Sequence, residues 1–262
     1  MLKELLERKR QGHRTAAFPK VIPELPPLFR GRPRLDPSKC VEGCVACVEA
    51  CPADALTASS GALGLDLGTC LFCTDCTEVC PSGAVTFTNE YRLAARTREE
   101  LRLSAPGDLE PKAIAASAEL RKLLGRSLKL RQVSAGGCNG CEADVNVLGT
   151  VVFDLSRFGI QIVASPRHAD GLLITGPVTE NMKVALMKTY EAVPSPKVVI
   201  AVGACAIGGG PFAGHPESLD GAASVLPVDL FVPGCPPHPY TILEALLGFL
   251  GRRGPGLRTE SS

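Results

Sequence analysis

The chain has 262 residues, of which 28 are Lys or Arg and 27 are Asp or Glu, so its formal net charge is only +1. This length suggests two domains, and the balanced charge gives no reason to expect a nucleic-acid-binding protein. Twelve cysteines are present without any tryptophan, and a chain this long does not need disulfides to compensate for a missing core. No apolar stretch approaches a membrane span, and the first residues lack the apolar region of a secretory signal. We therefore expect a cytoplasmic protein whose thiols serve as ligands or catalysts.

Residues 1–34 are expected to form a basic N-terminal extension rather than a domain. A short, helix-capable stretch is followed by a Pro-rich one, and such a composition cannot build a core of its own. Two interpretations stay open: a solvated tail, or a segment that docks on a partner or on an anionic membrane surface.

Residues 35–90 hold an internal repeat with eight cysteines in two runs, KCVEGCVACVEACP and TCLFCTDCTEVCP. Three cysteines of the first run recur in the second at an offset of 29, but Cys40 and Cys70 are 30 apart, so one residue has been added after Cys40. The second run reads C-x2-C-x2-C-x3-C-P, a spacing that gives three thiolates to one 4Fe-4S cluster and the fourth to its neighbour. A zinc site has no use for the trailing proline and is the weaker alternative.

This crossing rule assigns each of two 4Fe-4S clusters three thiolates from one run and one from the other. The first cluster is predicted to take Cys40, Cys44, Cys47 and Cys80, and the second Cys70, Cys73, Cys76 and Cys51. Cys40 is the least secure of these ligands because of the added residue, although a bulged loop could still present its sulfur.

The rest of the chain predicts a linker and then an α/β domain. Residues 91–126 mix charged residues with Ala and Leu and predict a helical linker. From residue 127 to 252, short β-rich runs alternate with helical stretches, which implies parallel strands with right-handed crossovers; residues 253–262 are read as a tail. The predicted strands are Leu128–Val133, Ile160–Ala164, Leu172–Thr175, Val198–Val202 and Asp229–Val232, and the predicted helices are Glu142–Phe158, Glu180–Ala192 and Tyr240–Leu250.

The remaining four cysteines follow three of these strands, in GGCNGCE, AVGACAIGGG and VPGCPPHP. Open α/β sheets bind their ligands at the carboxyl ends of the strands, so these thiolates suit a third 4Fe-4S cluster. Its predicted ligands are Cys138, Cys141, Cys205 and Cys235. The flanking glycines imply close backbone approach, and buried structural cysteines are the alternative.

A few polar residues near this third site are weaker candidates. Glu142 opens a helix, where it is either an acid favoured by the helix dipole or a proton-coupling group. His168 and His238 are read mainly as loop residues that satisfy hydrogen bonds, and Arg167 as a group that could face the negative charge of the cluster. No residue of this chain is assigned a catalytic role.

The motifs around the third site resemble those of a known family. Residues 127–250 resemble the small subunit of NiFe hydrogenases and the homologous cluster-bearing B subunit of complex I, through SAGGCNGCE, ASPRHADGLLITGPVT, KVVIAVGACA and LPVDLFVPGCPP. Residues 29–102, with FRGRP and both cysteine runs, resemble the two-cluster ferredoxin-like subunit of formate hydrogenlyase. The chain looks like a fusion of these subunits: a ferredoxin-like α+β domain followed by a flavodoxin-like, doubly wound parallel-sheet domain.

The resemblance implies that the third cluster lies next to a NiFe centre held by a separate hydrogenase large subunit. The chain would then relay electrons through three 4Fe-4S clusters between a donor, such as formate dehydrogenase or ferredoxin, and that centre, for proton reduction or hydrogen oxidation. It would sit on the cytoplasmic face of the cell membrane, held there through membrane subunits of the complex.

The spacing of the first two ligands of the third site separates two branches of this family. Asn139 and Gly140 stand between the cysteines, as in energy-conserving, membrane-bound hydrogenases, whereas the complex I subunit generally has adjacent cysteines. The GACAIGGG stretch instead favours complex I. One alternative is therefore an iron-sulfur subunit of a complex I-like, quinone-reducing enzyme with a nickel-free large subunit. The other is a free-standing, ferredoxin-type electron carrier.

Overall fold

The computed structural model describes residues 2–59, 62–105 and 114–252 of the chain; the predicted tail at 253–262 lies outside them. The helices are α1 (Leu2–Gln11), α2 (Ala46–Glu49), α3 (Asp75–Glu78), α4 (Ala118–Leu124), α5 (Gly140–Val147), α6 (Glu180–Ala192), α7 (Ala204–Gly208) and α8 (Pro239–Phe249). The strands are β1 (Pro33–Leu35), β2 (Leu56–Ser59), β3 (Ala62–Asp66), β4 (Val85–Phe87), β5 (Arg102–Ala105), β6 (Leu128–Ser134), β7 (Ile160–Ile162), β8 (Gly171–Thr175), β9 (Val198–Val202) and β10 (Leu230–Val232). Within the described ranges, no helix is both long and apolar enough to cross a membrane.

The two cysteine runs form two copies of a strand–helix–strand unit, β1-α2-β2 and β3-α3-β4. Helices α2 and α3 are 29 residues apart, the same offset that the cysteines show. The strands exchange partners between the copies, because β1 pairs antiparallel with β4, and β2 pairs antiparallel with β3. This crosswise pairing joins the two halves into one small domain and confirms the ferredoxin-like prediction.

The helical prediction for residues 91–126 is wrong over much of its length. Residues Arg102–Ala105 form β5, which pairs antiparallel with β3 and completes a three-stranded sheet. Along β5, Leu103 and Ala105 are buried and the residues between them are exposed, which is the alternation of a half-buried strand. The open edge of β3 therefore decides the conformation, and that edge cannot be read from the local composition.

Helix formation in this segment is limited to a 3₁₀ turn at Glu99–Leu101 and to α4. Helix α4 begins after Ser117, whose hydroxyl oxygen accepts the backbone N–H of Leu120 at 3.3 Å, an N-cap that satisfies one free donor of the first turn. Residues 106–113 lie outside the described part of the chain.

The C-terminal region contains a five-stranded, all-parallel sheet in the order β10-β9-β8-β6-β7. This is the strand order of flavodoxin-like folds, so the doubly wound prediction is confirmed. Strands β8 and β9 are buried at every residue, as expected for parallel strands that are covered on both faces. Their continuous apolar sequences explain why the sequence predicts their positions to within one residue.

The helix predicted over Glu142–Phe158 is also wrong in its second half. Helix α5 ends at Val147, and the chain then turns through Asp154, which has a left-handed φ of +45°. Gly149 and the β-branched residues 150–152 follow the helix directly, and both residue types weaken helical structure. Only a 3₁₀ turn at Leu155–Phe158 remains of the predicted continuation.

The two domains are packed together rather than tethered. Leu67 and Leu101 of the first domain belong to the same buried apolar cluster as Ile207 and Phe231 of the second. Ala95 exchanges two backbone hydrogen bonds with Phe231, at 2.9 and 3.0 Å, so the segment after the ferredoxin-like domain runs along the edge strand β10 and covers it. The cysteine loops of the first domain are thereby fixed against the second.

Candidate iron-sulfur sites

The thiols of the N-terminal domain fall into the two groups that the crossing rule predicts. Burial raises the pKa of the Cys47 thiol, and the nearby thiols of Cys80, Cys40 and Cys44 raise it further. Since such repulsion fades beyond about 10 Å, Cys80 of the second run lies close to the first run. The identity of the ligands stays a prediction, but the structure brings this group together.

The second group is assembled in the same way. Burial raises the pKa of the Cys70 thiol to about 12, and the thiols of Cys76, Cys51 and Cys73 add to the effect. Cys51 of the first run thus lies close to the second run. A thiolate at so buried a position needs a positive partner, which the iron of a cluster would supply.

Backbone N–H groups point at the sulfur that each run contributes to its neighbour. Ala55 donates to Cys51 Sγ at 3.3 Å, and Ala84 donates to Cys80 Sγ at 3.2 Å, again 29 residues apart. Burial acts to raise the pKa of Cys80, but hydrogen bonds, led by the one from Ala84, lower it to about 7. Hydrogen bonds to a ligating sulfur favour the thiolate and tune the potential of a cluster.

The third site lies at the carboxyl edge of the parallel sheet. Cys138 and Cys141 follow β6, Cys205 lies in α7 after β9, and Cys235 follows β10. Burial raises the pKa of the Cys141 thiol, and the other three thiols raise it further. The structure thus brings together four cysteines that are separated by up to 97 residues in the sequence.

Glycines bring the backbone close to these sulfurs. A Cβ on Gly203, which has a φ of +93°, would lie 2.4 Å from Cys141 Sγ, and a Cβ on Gly210 would lie 2.7 Å from Cys205 Sγ. Neither position can carry a side chain without moving a predicted ligand. The glycine-rich stretches therefore form a tight cradle around four soft donors, and this donor set suits a 4Fe-4S cluster.

The spacing of the thiols fits a cluster better than a single ion. Among the described residues, no three His, Cys, Asp or Glu side chains converge closely enough to hold one metal ion. A zinc ion would draw four ligands onto one centre, whereas each thiolate of a 4Fe-4S cube binds a different iron, so its ligands stand further apart. The zinc alternative loses support for this reason.

The three sites form a series. The thiol of Cys47 in the first group raises the pKa of Cys76 in the second. The thiol of Cys73 in the second group, together with Cys138, raises the pKa of Cys235 in the third, after the larger effect of burial. The second site therefore lies between the other two.

Both ends of this series reach the surface. At the first site, Val41 and Val45 are 56% and 43% exposed. At the third site, Cys138 and Cys235 are exposed. Exposed apolar side chains and exposed ligands at a redox site are typical of surfaces that a partner covers.

The weaker sequence candidates have different outcomes. Glu142 is buried, and its Oε1 accepts the hydroxyl groups of Ser134 and Thr175, each at 2.6 Å. Burial acts to raise its pKa, but these hydrogen bonds leave the pKa lowered. Arg167 and His168 lie in the turn before β8, at the opposite sheet edge from the cysteines, so the structure does not bring them to the third site.

His238 and Arg30 lie beside the third and second sites. His238 Nδ1 accepts the backbone N–H of Tyr240 at 3.2 Å and so caps α8. Arg30, part of FRGRP, is not among the residues that the sequence singles out; its Nη1 donates to the carbonyl oxygens of Phe72 at 2.9 Å and Cys73 at 3.3 Å. An arginine next to a glycine in a proline-rich stretch is the available signal, but its partners are more than 40 residues away.

Two family models match the chain. Residues 138–249 match the NADH ubiquinone oxidoreductase 20 Kd subunit family, and residues 39–85 match the 4Fe-4S dicluster domain family. The first match begins and ends within the α/β domain, and the second covers both cysteine runs.

Curated relatives carry names from both branches of this family. The chain is 45% identical to the "Probable membrane-bound hydrogenase subunit mbhJ" of Pyrococcus furiosus, over 50% of this chain and 78% of that protein. It is 38% identical to formate hydrogenlyase subunit 7 of Escherichia coli, over 59% of this chain and 63% of the relative. It is 42% identical to the B subunit of NADH-quinone oxidoreductase of Clostridium beijerinckii, over 41% and 64%. The match thus spans less than two thirds of the last two relatives.

Proposed function

The chain belongs to the family of the 20 Kd subunit of NADH ubiquinone oxidoreductase, and from this premise we propose that it is the electron-transfer subunit of a membrane-bound NiFe hydrogenase. It relays electrons between a donor, such as formate dehydrogenase or ferredoxin, and a NiFe site in a partner large subunit. Three 4Fe-4S clusters, when bound, would take up and release electrons one at a time. The catalytic site belongs to the partner, and this chain provides placement, burial and hydrogen bonds.

The observation that carries this proposal is the series of thiol contacts from Cys47 to Cys76 and from Cys73 to Cys235. A carrier with independent sites has no need to place its second site between the first and the third. A relay needs this order, because electron transfer slows steeply with distance. The shared core of the two domains supports the same function, since it fixes the separation of the sites.

We propose that the donor approaches the first site. The surface around Cys44 combines the exposed Val41 and Val45 with the exposed acids Glu42 and Glu49. An apolar centre with a charged rim is the usual composition of a protein interface. The charge of this rim fits a donor with basic residues around its own redox centre.

The large subunit is proposed to cover the third site. Cys138 and Cys235 are exposed, and a free-standing carrier would leave their cluster open to solvent. The C-x2-C spacing of Cys138 and Cys141 supports a hydrogenase-type large subunit. We place the complex on the cytoplasmic face of the membrane, in keeping with the names of the relatives.

The division of the chain is part of the same proposal. We propose a basic N-terminal extension (1–34), a two-cluster domain (35–90), a connecting segment (91–126), an α/β domain (127–252) and a tail (253–262). Strand β5 lies in the connecting segment but pairs with the two-cluster domain, so this segment binds the domains together.

The proposal is tested by isolating the tagged chain anaerobically from its own host and measuring nickel and iron in what copurifies. We expect a large subunit with about one nickel and at least about twelve iron atoms per complex, the number that three cubes require. A large subunit without nickel would instead support the quinone-reducing, complex I-like function. A monodisperse chain that carries iron but no partner in its native extract would contradict both and support a free-standing carrier.

A further inference from the structure

Two adjacent residues of the N-terminal extension, Phe29 and Arg30, connect the loops of the second and third sites. Arg30 Nη1 donates to the backbone carbonyls of Phe72 and Cys73, at 2.9 and 3.3 Å. The ring of Phe29 meets the ring of His238 edge to face, with centroids 5.4 Å apart and planes at 84°. One residue thus contacts the loop that carries Cys73, and its neighbour contacts the loop that follows the ligand of the third site.

The backbone directly after this pair is rigidly held. Gly31 donates to Thr88 O and Arg32 donates to Glu90 O, both at 2.8 Å. A Cβ on Gly31 would lie only 2.3 Å from Glu90 O, so the close approach requires glycine. Phe29 and Arg30 are therefore presented from a fixed support rather than from a loose tail.

The loop that Arg30 holds has an uncommon backbone conformation. Phe72 has a left-handed φ of +54°, and the residue 29 positions earlier in the first copy of the repeat is Gly43, with a φ of +73°. Glycine adopts this conformation without strain, whereas an aromatic residue does not. The hydrogen bond from Arg30 to the carbonyl of Phe72 stabilises this strained turn next to Cys73.

The pair also lines an open cavity between the two sites. This cavity has a volume of about 360 Å³, and its walls include Phe29, Arg30, Phe72, Cys235 and His238. Across it, the contacts of Phe29 and Arg30 link walls that belong to different domains. The guanidinium charge lies on the side of the second site, where it would act on the negative charge of a bound cluster.

We propose that Phe29 and Arg30 form a positioning clasp that fixes the second site relative to the third, and that the charge of Arg30 raises the reduction potential of the second cluster. This inference rests on the proposed relay, because it concerns the step between two of its sites. It assigns that step to residues outside the predicted ligand set. Removing the clasp weakens the coupling of the second and third clusters and lowers the potential of the second.

The test uses the purified complex and compares Arg30→Gln, Arg30→Lys and Phe29→Leu with the matched control Arg34→Gln. Arg34 is an exposed residue of β1, and its replacement removes the same charge four residues away. Iron content is measured first, and each variant is then titrated electrochemically while its clusters are followed by EPR. The readouts are the potential of the second cluster and the magnetic interaction between the second and third clusters.

We expect Arg30→Gln to lower the potential of the second cluster and to weaken its interaction with the third at unchanged iron content. Arg30→Lys should restore the potential but only part of the interaction, and Phe29→Leu should weaken the interaction without moving the potential. Unchanged values in Arg30→Gln, or equal shifts in Arg34→Gln, would overturn the clasp. If Arg30→Gln loses iron, Arg30→Lys decides: a wild-type interaction in that variant contradicts the positioning role.

Failure of the clasp is distinguishable from failure of the relay. Fewer than three clusters in the unmodified complex would contradict the proposed function itself. Three clusters whose coupling does not respond to Arg30 or Phe29 would leave the relay standing and remove only the clasp.

Discussion

The two copies of the N-terminal repeat resemble each other in ligands and differ in surroundings. Both place a short helix 29 residues apart and direct an alanine N–H at a cysteine sulfur, Ala55 to Cys51 and Ala84 to Cys80. The loop of the first copy exposes Val41 and Val45 to solvent, whereas the loop of the second copy buries Phe72 and faces the third site. The repeat specifies how a cluster is held, and the contacts of each copy with the rest of the chain specify what the cluster does.

The largest difference between the copies is expected when one ligand is removed from each. Cys73→Ser should cost about four of about twelve iron atoms and should leave the spectrum of the third cluster intact, while reduction of that cluster through the donor is lost. Cys44→Ser should cost the same iron, yet small reductants that reach the second cluster should still reduce the third. Iron analysis and stopped-flow spectroscopy measure both. Loss of every cluster signal in Cys73→Ser would refute independent sites.

A smaller difference is expected within the first site, because one residue has been added after Cys40. We expect Cys40→Ser to reduce occupancy of the first cluster less than Cys44→Ser does. The quantities to compare are iron content and the EPR amplitude of that cluster. Equal losses would show that the added residue does not weaken Cys40 as a ligand.

The two N–H···S hydrogen bonds should tune different clusters. Ala84→Pro removes the donor to Cys80 and should lower the potential of the first cluster, whereas Ala55→Pro removes the donor to Cys51 and should lower that of the second. A shift on the order of tens of millivolts is expected, since about 1 kcal/mol corresponds to about 40 mV for one electron. Redox titration of both variants gives the answer, and a shift in the same cluster for both would contradict the crossed ligand assignment.

The smallest effect is expected at the left-handed turn of the first copy. Gly43 has a φ of +73°, and nothing lies within 4 Å of a Cβ placed there, so Gly43→Ala should cost only backbone strain, about 1 kcal/mol of stability. Thermal unfolding of the intact complex compares it with Glu42→Ala, an exposed neighbour. A loss no greater than that of Glu42→Ala would show that this turn has no strain to relieve.

The sequence is sufficient where one local pattern decides the structure. Strands β8 and β9 are predictable because their apolar runs need no distant partner to be recognised, and helix α6 is predictable over its full range, Glu180–Ala192. The grouping of Cys80 with the first run and of Cys51 with the second follows from spacing alone.

The sequence is insufficient where a distant partner decides. Strand β5 forms because β3 offers an open edge, and the segment around Ala95 is extended because it follows β10. The bonds from Arg30 to Phe72 and Cys73 span 42 and 43 residues. Helix α5 is shorter than its apolar run suggests, because Gly149 and the residues after it favour a turn.

The order of the three sites is the central claim, and pulsed EPR on the reduced complex tests it most directly by measuring the magnetic interaction of each pair of clusters. We expect the second cluster to interact with both the first and the third, and each of these interactions to exceed the one between the first and the third. A direct interaction of the first with the third that equals or exceeds the others would contradict a series with the second site in the middle.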